Sequence, residues 1–154
     1  MIKIFPLLLS VFCLFTTSEM RSDVLDEVRK NYSKMASNKD LCKTAMANLK
    51  GTKDNSATHL AYLGGLQTIW ANHTLNPLSK LSTFKKGKKN IEAAIKKEPN
   101  NAELRFIRLS VQKNAPKFLG YQSNIKEDVE FIKNNRSQIK SNLLNQYIEP
   151  LLKE

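Results

Sequence analysis

Residues Asn76 to Tyr121, NPLSKLSTFKKGKKNIEAAIKKEPNNAELRFIRLSVQKNAPKFLGY, decide the fold, because they read as two packed helices joined by a Pro-Asn-Asn turn. At about 100° per residue, Leu81, Phe84, Gly87, Ile91, Ala94 and Ile95 share one face of a helix over Leu78–Lys97. Lys85, Lys86, Lys89, Lys96 and Lys97 share the opposite face, so one side is core and the other is solvated lysine. Pro99 ends that helix by removing an amide donor, and the Asn101 side chain can cap its successor.

The successor, Ala102–Lys113, is patterned differently. Leu104, Ile107 and Val111 form one apolar sector and Phe106 with Leu109 a second, which predicts a helix packed on two sides. Between the sectors Arg105, Arg108 and Gln112 form a narrow polar stripe at spacings of three and four.

Apolar spacing of three and four extends outward in both directions. Ser22 is placed to cap a helix whose face carries Leu25, Val28, Tyr32 and Met35, and Asn38 to cap the next, which runs to Lys50-Gly51. After a polar loop over Gly51–Ser56, Ala57–Asn72 is apolar around most of its circumference, as expected of a central helix. Beyond Pro116, Phe118, Leu119 and Tyr121 form an apolar aromatic turn, and Asn124 with Glu127 signals a helix over Ile125–Asn134. Ile139, Leu143 and Tyr147 give a last helix its face before Pro150. No strand-like alternation or hairpin dipeptide recurs, so the expected fold is all-α, built from antiparallel helical hairpins as a small solenoid or bundle.

Lys3, the apolar run Ile4–Phe15 and the small residues Thr16-Thr17-Ser18 have the pattern of an export leader cleaved after Ser18. About 12 apolar residues are too few for a membrane span, which needs about 20. Bulky Phe12 before Cys13 argues against a lipidated amino terminus. Residues 19–154 remain, about 136, enough for one domain with its own core and too few to expect two. The expected location is periplasmic or secreted. Cys42 is the single cysteine after the leader, so no internal disulfide supports this domain, and its helical step with Ala45 and Leu49 predicts a buried thiol.

The Pro-Asn-Asn junction, with Ile91, Ala94 and Ile95 before it and Ala102-Glu103-Leu104 after it, resembles a tetratricopeptide-repeat junction. The likeness covers about residues 57–132, with Gly64, Ile91, Ala94 and Pro99 in the repeat's order. It departs in spacing: about ten extra residues separate the Gly64 and Gly87 helices, and no second 34-residue copy is visible. The longer strings FKKGKKNIEAAI and PNNAELRFIRLSVQKNAPKFLGY are also similar to a group of exported, uncharacterised bacterial proteins with tetratricopeptide-like folds. That resemblance implies fold and compartment, and no activity.

Catalytic chemistry has little to stand on. His59 and His73 would lie roughly 21 Å apart along a continuous helix, too far to share a metal, with His59 expected near a helix start and His73 in the following loop. Glu127, Asp128 and Glu130 suit the positive end of a helix better than paired acid-base work. No phosphate loop occurs, so neither an enzyme, a cofactor nor a metal is expected.

Charge offers surfaces instead. The chain carries 25 Lys and Arg against 14 Asp and Glu, and Asn76–Tyr121 holds eleven of the former against three of the latter. Such a field favours an anionic envelope surface, reached through Lys85, Lys86, Lys89, Lys96 and Lys97; the absence of interleaved aromatics argues against nucleic acid. The sharper expectation is a protein or peptide site on Arg105, Arg108 and Gln112, extended by Asn114 and Tyr121, since confined arginines are preorganised for carboxylates. The competing reading pairs those arginines internally with Glu92, Glu127 or Asp128.

Overall fold

The computed structural model describes residues 17–153, with side chains from Val24 onward. The proposed leader therefore lies almost wholly outside the described residues. Those residues form α1 (Thr17–Asn31), α2 (Lys39–Gly51), α3 (Ala57–His73), α4 (Pro77–Lys97), α5 (Ala102–Asn114), α6 (Ile125–Asn134) and α7 (Asn142–Ile148), with short 3-10 turns and no strand. The fold is all-helical, with the helices packed on one another around a common core.

Side-chain caps set most helix starts. Asn38, Ser56, Asn76, Asn101 and Ser141 each accept a hydrogen bond from a backbone amide in the first turn of α2, α3, α4, α5 and α7 respectively. Such a cap satisfies one of the amides a helix start leaves unpaired, a contribution of about 1 kcal/mol. Two local expectations need correction. Among the described residues α1 runs from Thr17, so Ser22 lies within it rather than at its start. α6 spans the expected Ile125–Asn134, with Asn124 at its N-cap position; the Asn124 side chain makes no cap bond, and its amide donates to Glu127 Oε2 at 3.1 Å. In α7 the buried residues are Leu144 and Ile148, one position on from the expected Leu143 and Tyr147, and Ile139 is buried before the helix begins.

α3 is the central helix, touching α2, α4 and α5. Its contact with α4 is the most extensive in the fold, and the short connection through Leu75 makes the two an antiparallel hairpin. Gly64 and Gly87 allow this approach. A Cβ on Gly64 would stand 2.7 Å from the Gly87 carbonyl oxygen, and one on Gly87 would stand 2.5 Å from that of Gly64. α5 lies on the other side of the hairpin, with Leu104, Phe106, Ile107, Leu109 and Val111 all buried, as its two apolar sectors require. Cys42 is fully buried, its thiol 3.7 Å from the Leu66 carbonyl, and burial pushes its pKa up to about 11.

Candidate functional site

The two sides of α5 carry different chemistry. Toward α4 and α6, the sequence stripe becomes an ion-pair network centred on Asp128, which is fully buried in α6. Arg108 grips that carboxylate with both ends of its fork, Nε to Oδ2 at 2.6 Å and Nη2 to Oδ1 at 2.7 Å, and extends Nη1 to Glu92 at 3.2 Å. Arg105 adds Nη1 to Asp128 at 3.1 Å and to Glu127 at 2.7 Å, and its Nη2 donates to the Pro99 carbonyl. Its guanidinium also lies 5.0 Å from the centre of the Phe131 ring.

Tyr121 closes the network, donating its hydroxyl to Glu92 at 2.6 Å while its ring packs edge-on against Phe84. Burial and the Glu92 carboxylate raise the Tyr121 pKa far above that of a free phenol. Burial alone would lower the Arg108 pKa, but the hydrogen bond and charge of Asp128, with Glu92, carry it above its ordinary value. At the solvent edge, the side chains of Asn124 and Arg105 hold Glu127 below the usual carboxylate range.

Of the five stripe residues proposed from sequence, Arg105, Arg108 and Tyr121 thus meet in one cluster and bond to Glu92, Glu127 and Asp128. Gln112 is buried beside it, its Nε2 3.4 Å from Asn124 Oδ1 and its Oε1 without a hydrogen-bond partner among the described residues. Asn114 stands apart at the end of α5, donating to the Ser110 carbonyl at 2.7 Å.

On the opposite side, α5 forms a wall of an apolar groove of about 820 Å³. α5 contributes Phe106, Ser110, Val111 and Asn114; α3 contributes Thr68, Ile69 and Ala71; α4 contributes Pro77, Lys80, Leu81 and Phe84. Tyr32, Leu119, Tyr147 and Leu151 add to the lining. Clefts of about 300–1,000 Å³ lined by apolar and aromatic groups are the usual size and chemistry of a binding site. Among the lining residues Phe118 is 85% exposed; Leu78, outside the lining and one turn before Leu81, is 80% exposed.

The polar groups on the groove floor are already engaged. Ser110 donates to the Ile107 carbonyl at 2.8 Å, Tyr32 reaches Ser110 Oγ at 3.3 Å, and Thr68 donates to the Gly65 carbonyl at 2.7 Å. Because the Ser110 proton points to Ile107, the Tyr32 hydroxyl is the donor in that pair. Burial pushes the Tyr32 pKa up to about 12. Nothing in the local sequence marks this groove, whose walls come from five separated segments; the one signal was the apolar Phe118-Leu119 pair in a turn.

The lysine face is laid out as its periodicity demands: Lys85, Lys86, Lys89, Lys96 and Lys97 are all exposed, and no ion pair among the described residues involves them. A second internal network, absent from the sequence reading, joins Arg29 of α1 to Glu103 of α5 at 2.7 Å and Tyr62 of α3 to the same carboxylate at 2.7 Å. His73, expected in a loop, ends α3, and its Nε2 lies 3.0 Å from the Met35 carbonyl. Among the described residues no group of three or more His, Cys, Asp or Glu converges as a metal site, and no helix is long and apolar enough to cross a membrane.

No protein family, curated protein or solved structure compared with this chain matches it.

Proposed function

We propose that this protein is a non-enzymatic helical binding module that holds a protein or peptide partner in the apolar groove beside α5. The observation that carries the reading is the groove itself: about 820 Å³ of apolar cleft whose mouth leaves Phe118 in solvent. Large apolar side chains left exposed around a concave surface are a common mark of an interaction site. The arginine stripe is the weaker choice, because Arg105 and Arg108 already hold carboxylates of the same chain. In this reading α3, α4 and α5 act as a tetratricopeptide-like unit, with α5 lining the concave side. The domain is exported by the leader in residues 1–18.

Photocrosslinkers placed one at a time at Phe118, Glu127 and Lys97, in the cell of origin, separate the candidate surfaces. Capture from position 118 that disappears when Ala115→Trp narrows the groove is the expected result. Capture from position 127, indifferent to Ala115→Trp, would return the site to the arginine stripe.

A second reading, attachment to an anionic envelope surface, is favoured by Lys85, Lys86, Lys89, Lys96 and Lys97 of α4, all exposed and in no ion pair among the described residues. It predicts release from anionic vesicles by moderate salt, because a field of solvated charges is screened within about 10 Å at 0.1 M. Retention at that salt would remove it.

A further inference from the structure

Resting on the groove reading above, we infer that the groove's partner is an amphipathic helix with acidic flanks. An extended peptide brings unpaired amides and carbonyls into whatever cleft it enters, and these must find partners there or lose hydration without compensation. Among the described residues the hydroxyls on the groove floor are engaged, those of Tyr32, Ser110 and Thr68 going to Ser110 Oγ, Ile107 and Gly65, which leaves only the exposed rim groups Ser33, Asn72, Lys80 and Asn114 to meet a peptide backbone. The Tyr147 hydroxyl at the groove end donates to the Lys30 carbonyl. With no strand among the described residues there is also no sheet edge to extend. A helix satisfies its own backbone and presents only side chains, so it enters such a cleft without that penalty.

Charge supplies the second step. Among the described residues Lys80 is the single charged one lining the groove, and Lys34, Lys113 and Lys117 are exposed next to the lining residues Ser33, Asn114 and Phe118. No Asp or Glu among the described residues lines it. A helix whose apolar stripe is bordered by Asp and Glu complements this arrangement, and charges at such a rim chiefly set association rate and partner choice. A second copy of this chain is the poorer occupant, since each copy carries +11. A small amphiphile would meet Lys80 but leave Lys34, Lys113 and Lys117, which lie beyond the lining, without a counter-charge.

A displayed library of randomised 16-residue peptides, selected in parallel on the wild-type protein and on Ala115→Trp, tests the inference. Enriched peptides are then synthesised and measured by fluorescence anisotropy and circular dichroism. Winners should carry apolar residues at i, i+3 or i+4, and i+7 with Asp and Glu beside them, and gain helicity on binding. They should lose at least about tenfold in affinity on Ala115→Trp and several-fold on Lys80→Glu, the latter loss shrinking in salt. Leu81→Glu, at the half-exposed mouth, is the second blocking variant should Ala115→Trp fold poorly on thermal melting.

Groove-dependent winners that are basic, neutral or Pro-rich would overturn the acidic helix and leave the groove as the binding site. So would dodecanoate binding blocked by Ala115→Trp in the absence of peptide winners, or self-association in sedimentation that the same variant abolishes. No groove-dependent binding of any of these probes would overturn both this inference and the groove reading.

Discussion

The two sides of α5 handle polarity in opposite ways, although they belong to the same thirteen residues. On the α6 side, Arg108 and Asp128 are charged, buried and bonded to each other at 2.6 and 2.7 Å, leaving little free valence for a partner. On the groove side the wall is mostly apolar, the hydroxyls of Tyr32, Ser110 and Thr68 on its floor are engaged within the chain, and its mouth is left open. The chemically louder surface is thus the less available one. A buried ion pair makes little case for stability over a hydrophobic replacement, yet losing one member strands the other.

The largest effect should therefore come from halving that pair. Arg108→Ala leaves Asp128 buried with only Arg105 at 3.1 Å, and Asp128→Ala leaves buried Arg108 with only the more exposed Glu92 at 3.2 Å and Glu127 at 3.9 Å. Each should lower stability by about 3–5 kcal/mol in urea unfolding, and the double variant should lose far less than the sum. Additive losses would mean that the two groups do not act as a pair, which would break the contrast between a closed side and an open one.

Next in size is an alkaline effect shared by both sides. Tyr32 under the groove and Tyr121 in the network, together with Tyr62, have folded pKa values raised above that of a free phenol, mainly by burial. Such groups stabilise the fold fully below their unfolded value of about 10. The contribution is lost as pH rises through the folded values, for Tyr32 about 12. For Tyr32 the rise from about 10 to about 12 corresponds to roughly 2–3 kcal/mol, so thermal melting between pH 9 and 12 should show a steep fall. Tyr32→Phe should flatten part of it; an unchanged profile in that variant would show that the groove floor is wetter than its hydrogen bonds imply.

A smaller loss is expected from Tyr121→Phe, which removes the 2.6 Å bond to Glu92 but keeps the ring against Phe84. A single hydrogen bond to a charged group contributes about 1.5–3 kcal/mol at most, and Glu92 is exposed enough for water to replace the phenol, so about 1 kcal/mol is expected. A loss as large as that of Arg108→Ala would make Tyr121 part of the ion pair's scaffold.

What the sequence made legible follows the range of the forces involved. The starts and ends of α4 and α5 come within a residue of their expected limits, because Asn76, Asn101 and Pro99 act on amides a few positions away. The internal pairing of Arg105 and Arg108 was among the readings open, since Glu92, Glu127 and Asp128 were the nearby acids. Which acid dominated depended on how α6 folds back on α5, a tertiary fact no local pattern carries. The displaced face of α7 has a local cause: Ser141 caps the helix, so Ile139 lies before its start and cannot set its phase. The groove was illegible because Tyr32, Leu81, Leu119 and Leu151 meet only after packing, and each reads by itself as ordinary core.

The smallest stability effect belongs to the groove mouth and is the most direct probe of its openness. Phe118 sits in the 3-10 turn Lys117–Leu119 ahead of Gly120, whose positive φ of 61° turns the chain toward Tyr121. With 85% of its surface in solvent, its ring contributes little apolar burial, and exchanging it for a polar side chain removes almost no packing. Phe118→Ser should therefore change unfolding free energy by no more than about 0.5 kcal/mol, the usual range for surface positions. Partner binding through the groove should weaken measurably in the same protein, because the ring is then covered by the partner. A stability loss above about 1 kcal/mol would mean that Phe118 closes over the groove in the free protein, and the open side of α5 would be open only when a ligand displaces it.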